Sequence, residues 1–285
     1  MKRAHVLAAA AAVVLAGFPA TGFAAPASGW TGYLDLGFGG FWGSESGNYF
    51  DSYSWNGTEL HGAGKVAFDV APSLTLQADL WATDWLEHKS DGSSNAWLIG
   101  GAAVHASWHP SAITLIGAFA SYGPNGENGT YDTLGVEAQH WMGDTRFYGQ
   151  VGHLTEIDRY DAGFADTYAE GVATHYINPN LSFAGFFGYD RSTGGNSGGW
   201  VSDEWNWGAR VEYKPAKLPV SLYATYQGFA MNGNWLASSN TYRAGDNEVT
   251  VGLRVPLGGG AGTLKSLDQT VGLTDMNPSY GEIPH

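Results

Sequence analysis

The sequence has 285 residues, of which 42 are Gly, and its charged residues amount to only 14% where a soluble domain usually has about a quarter. A formal net charge of -14 argues against a nucleic-acid partner, because neutralising phosphates requires clustered Lys and Arg. The absence of Cys excludes disulfides, thiolate metal sites and cysteine nucleophiles.

The first 24 residues have the pattern of a secretory signal peptide. Lys2 and Arg3 supply a positive start, residues 6–18 form a short apolar run, and a small-x-small cleavage site ends at Ala24. The apolar run is too short to span a bilayer, and a short N-terminal membrane anchor is the alternative. We therefore expect a cleaved signal peptide over residues 1–24 and export across the inner membrane.

From residue 30 onward, apolar and polar residues alternate with the two-residue period of β-strands. Leu34, Leu36 and Phe38 share one face of the first segment, while Tyr33 and Asp35 share the other. The pattern predicts about twelve strands, over residues 30–42, 58–71, 73–83, 95–109, 112–122, 132–142, 145–154, 166–178, 181–190, 204–213, 219–228 and 247–257.

The connections between these segments alternate strictly between short and long. Short turns rich in Pro, Gly and Asn alternate with long polar stretches, which we expect to be loops. These stretches are residues 43–57, 83–95, 123–132, 155–166, 191–204 and 229–247. An up-and-down barrel in an outer membrane has this asymmetry, with short periplasmic turns and long external loops.

Two features of the strands admit more than one interpretation. In the eighth strand, Tyr168, Val172 and Tyr176 share a face with Glu170 and Thr174, which predicts a bulge or a local inward bend. Most Trp residues lie near predicted strand ends, where rings anchor at a membrane interface, and burial in a core is the alternative.

The signal peptide, alternating strands, aromatic strand ends and connection asymmetry resemble Gram-negative outer-membrane β-barrel proteins of the porin-like kind. The resemblance covers residues 30–257 and implies an all-β fold, a transmembrane up-and-down antiparallel β-barrel of about 12 strands. It also implies localisation in the outer membrane, with outer-membrane lipid, lipopolysaccharide and the barrel-assembly machinery as partners. The barrel domain is expected over residues 25–257.

The last strand is similar to the assembly signal of that class, with Gly252 followed by the alternating hydrophobics Val255 and Leu257. The residue before the glycine is usually polar but here is Val251, and the chain continues beyond the strand. We expect residues 258–285 to form a C-terminal tail that is periplasmic or lumenal.

The polar faces of the strands supply the candidates for lumen-lining residues, and both signs of charge occur among them. A barrel of about twelve strands should leave a narrow passage, because eight strands just fill with side chains and sixteen leave a channel. An occluded, purely structural interior is the alternative. The candidates are Glu59, His61, Lys65, Asp69, Asp79, Glu137, Arg146, Arg210, Glu212 and Arg254.

Acidic residues are concentrated in the long polar stretches. Asp158, Asp161 and Asp166 crowd one stretch with only Arg159 among them, and we take them as candidates for an acidic mouth. Such a mouth would concentrate cations and repel anions, whereas a merely solvated acidic surface is the alternative.

The sequence therefore predicts a porin-like barrel that gives a narrow, cation-preferring passage to small solutes. A structural or adhesive barrel with an occluded lumen is the first alternative, and a hydrolase with a site at the rim is the second. No spacing of Ser, His and acidic residues indicates a catalytic group, so we expect no enzyme. No motif indicates a cofactor or a metal site.

Overall fold

The chain forms a closed barrel of twelve antiparallel strands, as the sequence predicted. The structure is a computed structural model and describes residues 30–48, 52–124, 129–157, 163–194, 199–235, 240–258 and 262–270. The strands are β1 (Trp30–Gly47), β2 (Tyr53–Ala71), β3 (Leu74–Lys89), β4 (Ser94–Ser111), β5 (Thr114–Pro124), β6 (Thr130–Met142), β7 (Thr145–Ile157), β8 (Gly163–Asn178), β9 (Leu181–Gly194), β10 (Trp200–Tyr213), β11 (Ser221–Trp235) and β12 (Thr241–Leu257). The expected signal peptide and residues 271–285 lie outside the described residues.

Each strand pairs with its neighbours in the chain, and β1 pairs with β12 to close the ring. The closing ladder runs in continuous register from Gly32 opposite Leu257 to Gly47 opposite Tyr242. A sheet that spans a membrane must close, because hydrocarbon offers no hydrogen-bond partner for the backbone groups of an open edge. The register shifts in the ladders lie next to the short turns, as at Asp69 and Ala71.

The outer face of the barrel is apolar. Phe38 is 58% exposed, Val104 is 62% exposed and Leu134 is 68% exposed, and all three alternate with inward-facing neighbours that are buried. Exposed large hydrophobic side chains of this kind occur on every one of the twelve strands, and on β8 the example is Ile177 at the end of the strand. A continuous apolar girdle is the surface that lipid requires.

The inner face explains much of the glycine content. Glycines stand directly opposite aromatic residues of the adjacent strand, and the ring lies over the glycine, where a Cβ atom would clash with it. Glycine on one strand therefore makes room for a ring from the next, as in aromatic rescue of strand glycines. The pairs are Phe41 with Gly57, Trp55 with Gly43, Phe119 with Gly135, Tyr168 with Gly152, Phe186 with Gly208 and Tyr223 with Gly252.

The predicted long loops are mostly strand. At the end of the barrel that we call the loop end, β1 continues to Gly47 and β2 begins at Tyr53, so only residues 48–52 separate them. The polar residues of these stretches remain extended because their backbone groups pair with the neighbouring strand, whatever the polarity of the side chains. At the opposite end, the turn end, most connections have two residues, but residues 214–220 separate β10 from β11.

Two further expectations need correction. The eighth strand has no bulge in its middle: Tyr168, Glu170 and Tyr176 are all buried on the inner face, because large side chains fill the lumen there.

The tryptophans divide between two environments. Trp42, Trp108 and Trp205 are exposed on the outer face, whereas buried inner-face examples are Trp55, Trp81 and Trp141.

A helix, α1 (Leu264–Thr270), follows the last strand and lies at the turn end. It belongs to the segment that the sequence assigned to a periplasmic or lumenal tail. Within the described residues, no helix has the length and apolar character needed to cross a membrane.

Candidate functional site in the barrel lumen

All ten predicted lumen residues stand at inner-face positions. Glu59, Lys65, Asp79, Glu137 and Glu212 are buried. His61 and the arginines at 146, 210 and 254 are half-buried on the same face. Asp69 lies at the turn end, where it is exposed and accepts a hydrogen bond from the Thr75 hydroxyl at 2.6 Å. The alternation of side chains along each strand is sufficient to give this placement.

The lumen near the turn end holds a charge network centred on two arginines. Arg254 donates to both carboxylate oxygens of Asp35, at 2.9 and 3.0 Å, and lies 3.4 Å from Glu212. Arg210 donates to Glu212 at 3.0 Å and lies 3.6 Å from Asp35. A bidentate arginine to carboxylate contact fixes both side chains. Bases and acids therefore neutralise each other in this part of the lumen.

A second network lies on the opposite wall and is built around His105. Its Nδ1 lies 2.8 Å from Glu137 Oε1 and its Nε2 lies 3.3 Å from Asp79 Oδ2. The Tyr148 hydroxyl donates to Glu137 at 2.9 Å, and Gln150 donates to Glu170 at 2.8 Å. These contacts tie β3, β4, β6, β7 and β8 together across the inner face.

The lumen near the loop end is acidic and unneutralised. Asp190, Glu204, Asp246 and Glu248 stand on the inner face of β9, β10 and β12. Among the described residues, no Lys or Arg forms an ion pair with any of these carboxylates. Ion pairs are therefore concentrated at the turn end of the lumen, whereas these carboxyl groups at the loop end have no Lys or Arg partner among the described residues.

A cavity opens between β12 and β4 in the acidic half of the lumen, with an empty volume of about 370 Å³ that includes its mouth. Four aromatic side chains and three carboxylates line it: Phe41, Trp55, Trp85, Trp97, Glu87, Asp246 and Glu248. The rings of Phe41 and Trp85 are 6.1 Å apart between centroids and tilted by 48°. Trp85 is held in place because its indole N–H donates to Glu59 at 3.0 Å.

Glycines on β1 and β2 make the cavity walls possible. A Cβ atom on Gly43 would lie 2.6 Å from the Trp55 ring and 2.6 Å from the Cβ atom of Asp246, and one on Gly57 would collide with the Phe41 ring. Any larger residue at these positions would displace an aromatic wall. The sequence therefore fixes the cavity through residues that do not line it.

Helix α1 closes the turn end of the lumen. On one side its backbone is bound by the β8–β9 turn, since Lys265 N–H donates to Pro179 O at 3.0 Å. Lys265 Nζ donates to Asp144 at 2.7 Å in the β6–β7 turn. On β1, which lies nearly opposite in the ring, the Thr31 hydroxyl donates to Thr270 O at 2.7 Å. The helix therefore spans the opening.

The inner side of α1 packs against the lumen wall and forms hydrogen bonds with it. Leu264 is 1% exposed and packs against Trp141 and Tyr176. Asp268 accepts a hydrogen bond from the Tyr176 hydroxyl at 2.5 Å and lies 3.7 Å from Arg254. Asp268 thus joins the arginine network, whose members on β1 and β10 are far from α1 in the chain, so the sequence could not indicate this contact.

The predicted acidic mouth is only partly within the described residues. Asp158 and Asp161 lie outside them. Asp166 does not lie in a loop, because β8 begins at Gly163 and carries it as an inner-face residue that is 3% exposed. It lies on the acidic wall of the lumen, and its Oδ1 has no hydrogen-bond partner. No group of three His, Asp or Glu side chains in the described ranges has an arrangement suited to a metal ion.

The sequence missed the cavity because it assigned four of its seven lining residues to loops. Trp55 and Trp85, with Glu87, fall in polar stretches that were expected to leave the sheet, yet they continue the inward alternation of β2 and β3. The signal that could have found them is this continued period of two beyond the length needed to cross the membrane.

Solved structures of outer-membrane barrels share the fold. An outer membrane channel from Pseudomonas putida F1 aligns with a TM-score of 0.52 at 10% identity, over 82% of this chain and 99% of that one. The translocator domain of the autotransporter NalP from Neisseria meningitidis aligns with a TM-score of 0.50 at 13% identity, over 88% of this chain and 95% of that one. The chain therefore has the fold of outer-membrane β-barrel proteins. Neither a protein-family model nor a curated protein sequence matches it.

The similar structures require a correction concerning enzymatic activity. They include OmpT, an outer membrane protein of Vibrio cholerae, which aligns at 10% identity with a TM-score of 0.41. At this identity and TM-score the alignment gives no information about the activity of this chain, and a fold alone does not determine function. The expectation that this barrel is not an enzyme was wrong, because a barrel fold does not exclude enzymatic activity.

Proposed function

We propose that the protein is an outer-membrane channel that gives a narrow, cation-preferring passage to small solutes. The observation that carries the proposal is the segregation of charge along the lumen. Asp166, Asp190, Glu204, Asp246 and Glu248 line the loop end without a basic partner among the described residues. A low-dielectric cleft of one sign of charge concentrates counter-ions and repels ions of like charge.

The name of the similar channel from Pseudomonas putida F1 supports a channel in general but gives no solute. The narrowness is supported by the burial of the inner side chains, such as Lys65 at 2% and Phe119 at 2% exposure. Together with α1 across the turn end, this filling indicates a closed conformation of the passage.

A structural or adhesive barrel is the second candidate, and the same filling favours it. Trp81, Phe119, Tyr131, Leu154 and Tyr168 form one buried cluster within the barrel, so aromatic and aliphatic side chains occupy much of the cross-section. A barrel of this kind would need no conducting state.

Planar-bilayer recording of the purified protein distinguishes the two candidates. We expect discrete conductance steps and a reversal potential in a KCl gradient that shows cation preference. The preference should fade as the screening length shortens from ~10 Å at 0.1 M salt to ~3 Å at 1 M. Absence of conductance would favour the structural barrel, and anion preference would overturn the electrostatic argument.

Two sets of variants identify the charges that set selectivity. Asp190→Asn with Glu204→Gln should reduce the cation preference if the lumen acids are responsible. Asp132→Asn is the matched control, because Asp132 is an exposed acid on the outer face of β6. Asp158→Asn with Asp161→Asn tests the acidic mouth. If only this pair of variants reduced the cation preference, the mouth and not the lumen would set the selectivity.

A further inference from the structure

The cavity at the loop end combines aromatic walls with carboxylates. Three Trp rings and Phe41 form its sides, and Asp246 and Glu248 of β12 contribute carboxyl groups. No Lys or Arg lines it. Lys89 Nζ lies 4.0 Å from Glu87 of the lining and 4.5 Å from the centre of the Tyr53 ring.

We propose that this cavity binds a small organic cation whose charged group is an alkylated ammonium. The positive charge would face Asp246 and Glu248, and the alkyl groups would lie against the indole rings. The inference rests on the proposed channel and deepens it, because it names the class of solute that the passage would admit.

The chemistry of the walls selects this class over the alternatives. The faces of Trp rings attract cations through their quadrupole, most effectively when the cation is weakly hydrated, and quaternary ammonium groups are recognised by such aromatic cages. A metal ion would need convergent oxygen ligands, and the described residues contain no such group of His, Asp and Glu side chains. A neutral apolar solute would leave the carboxylates buried beside it without a counter-charge.

Hydrogen bonds within the protein fix the walls of the cavity without any ligand. Trp85 is fixed by its hydrogen bond to Glu59, and Glu59 also accepts a hydrogen bond from the Thr250 hydroxyl at 2.5 Å. The Thr250 hydroxyl lies 2.8 Å from Glu248, so the ring and the carboxylate belong to one network. A fixed cavity reduces the ordering cost of binding.

Isothermal titration calorimetry of the full-length protein in detergent tests the proposal, with choline chloride as the probe and sodium chloride at equal ionic strength as the reference. We expect saturable binding of choline and none of its uncharged isostere, in which carbon replaces nitrogen. Asp246→Asn with Glu248→Gln should weaken binding at least about tenfold, and Trp85→Leu should weaken it severalfold. Because these variants could misfold, retained barrel structure is checked by circular dichroism.

The control variant is Asp132→Asn, which removes an exposed acid on the outer face of β6 without touching the cavity. It should leave choline affinity unchanged. No saturable binding by the wild-type protein, equal binding of the uncharged isostere, or equal weakening by Asp132→Asn would each overturn the cation site. Cation-selective conductance without choline binding would leave the channel standing and remove the site. Choline binding by a barrel that never conducts would support the site and overturn the channel.

Discussion

Inner-face side chains, taken one residue at a time, decide how much of the lumen remains open. Gly135 is opposite Phe119, and a Cβ atom at that position would lie within 2.6 Å of the Phe119 ring and of Val151 O. Gly171, on the outer face, has only one atom near such a Cβ, Tyr148 O at 3.9 Å. Glycine therefore has two roles. On the inner face Gly135 makes room for an aromatic ring, and on the outer face Gly171 only leaves open space.

Replacing a lipid-facing residue by Arg tests the assignment of faces. Ala102 is exposed on the outer face near the middle of β4, so Ala102→Arg should reduce the free energy of unfolding in lipid by ~2–4 kcal/mol. Gln227→Arg is the control, because Gln227 is half-buried on the inner face and stands opposite Glu248. Urea unfolding in vesicles measures both, and equal losses would show that the faces are assigned wrongly.

Gln150 shows what an added charge would meet on the inner face. A polar inner-face residue is expected from the sequence to tolerate a charge, but Gln150 is 3% exposed and bonds to Tyr148 and Glu170. Losing bonds among buried polar groups carries a desolvation cost. The inner face around Gln150 is therefore a packed polar core, and a charge placed there should be costly.

At the scale of elements, α1 is the feature that most directly controls the turn end. Leu264→Asp would place a charge among Trp141, Tyr176 and the lumen wall, so it should undock the helix and increase single-channel conductance. Gln269→Asp adds the same charge at an exposed position of the same helix and should leave conductance unchanged. Identical recordings from the two variants would contradict a blocking role for α1.

The contact between α1 and the β6–β7 turn should respond to pH. The hydrogen bond and the charge of Lys265 lower the pKa of Asp144 from its usual value near 3.8. Because the folded-state pKa is depressed, this contribution is fully present above pH 4 and is lost as pH falls through the lowered value. Helix docking should therefore be unaffected between pH 7 and pH 5.

Comparison with Asp144→Asn isolates that group. The wild-type protein and the variant should differ in conductance above about pH 4 and converge at lower pH, where Asp144 is protonated in both the docked and undocked states. Planar-bilayer recording over this range provides the measurement. A difference that persists unchanged at pH 2 would show that the carboxylate does not act through its charge.

The molecule as a whole has two distinct ends, and its orientation in the membrane can be tested because it has no native Cys. Ser93→Cys lies at the loop end between β3 and β4, and Ser73→Cys lies at the turn end between β2 and β3; both positions are exposed. We expect a membrane-impermeant maleimide to label Ser93→Cys on intact cells and to label Ser73→Cys only after the outer membrane is opened. The reverse pattern would invert the topology.

The sequence predicted the barrel well because its signals are local. The alternation of Leu34, Leu36 and Phe38 with Tyr33 and Asp35 needs only the geometry of one strand, and the twelve strands follow from the turns between such segments. It predicted the limits of the strands less well. Polar residues such as Glu87 remain in the sheet, since backbone pairing with a neighbour decides where a strand ends.

By itself the sequence determined the fold class, the strand number and, outside β8 and the strand ends, the face on which a strand side chain lies, because a period of two is a property of consecutive residues. Only the tertiary structure decided which inner-face residues meet. Arg254 binds Asp35 across the closing ladder, Asp268 reaches the same network from α1, and Phe41 shares a cavity with Trp97. These contacts depend on ring closure and register between distant strands, which no local pattern encodes.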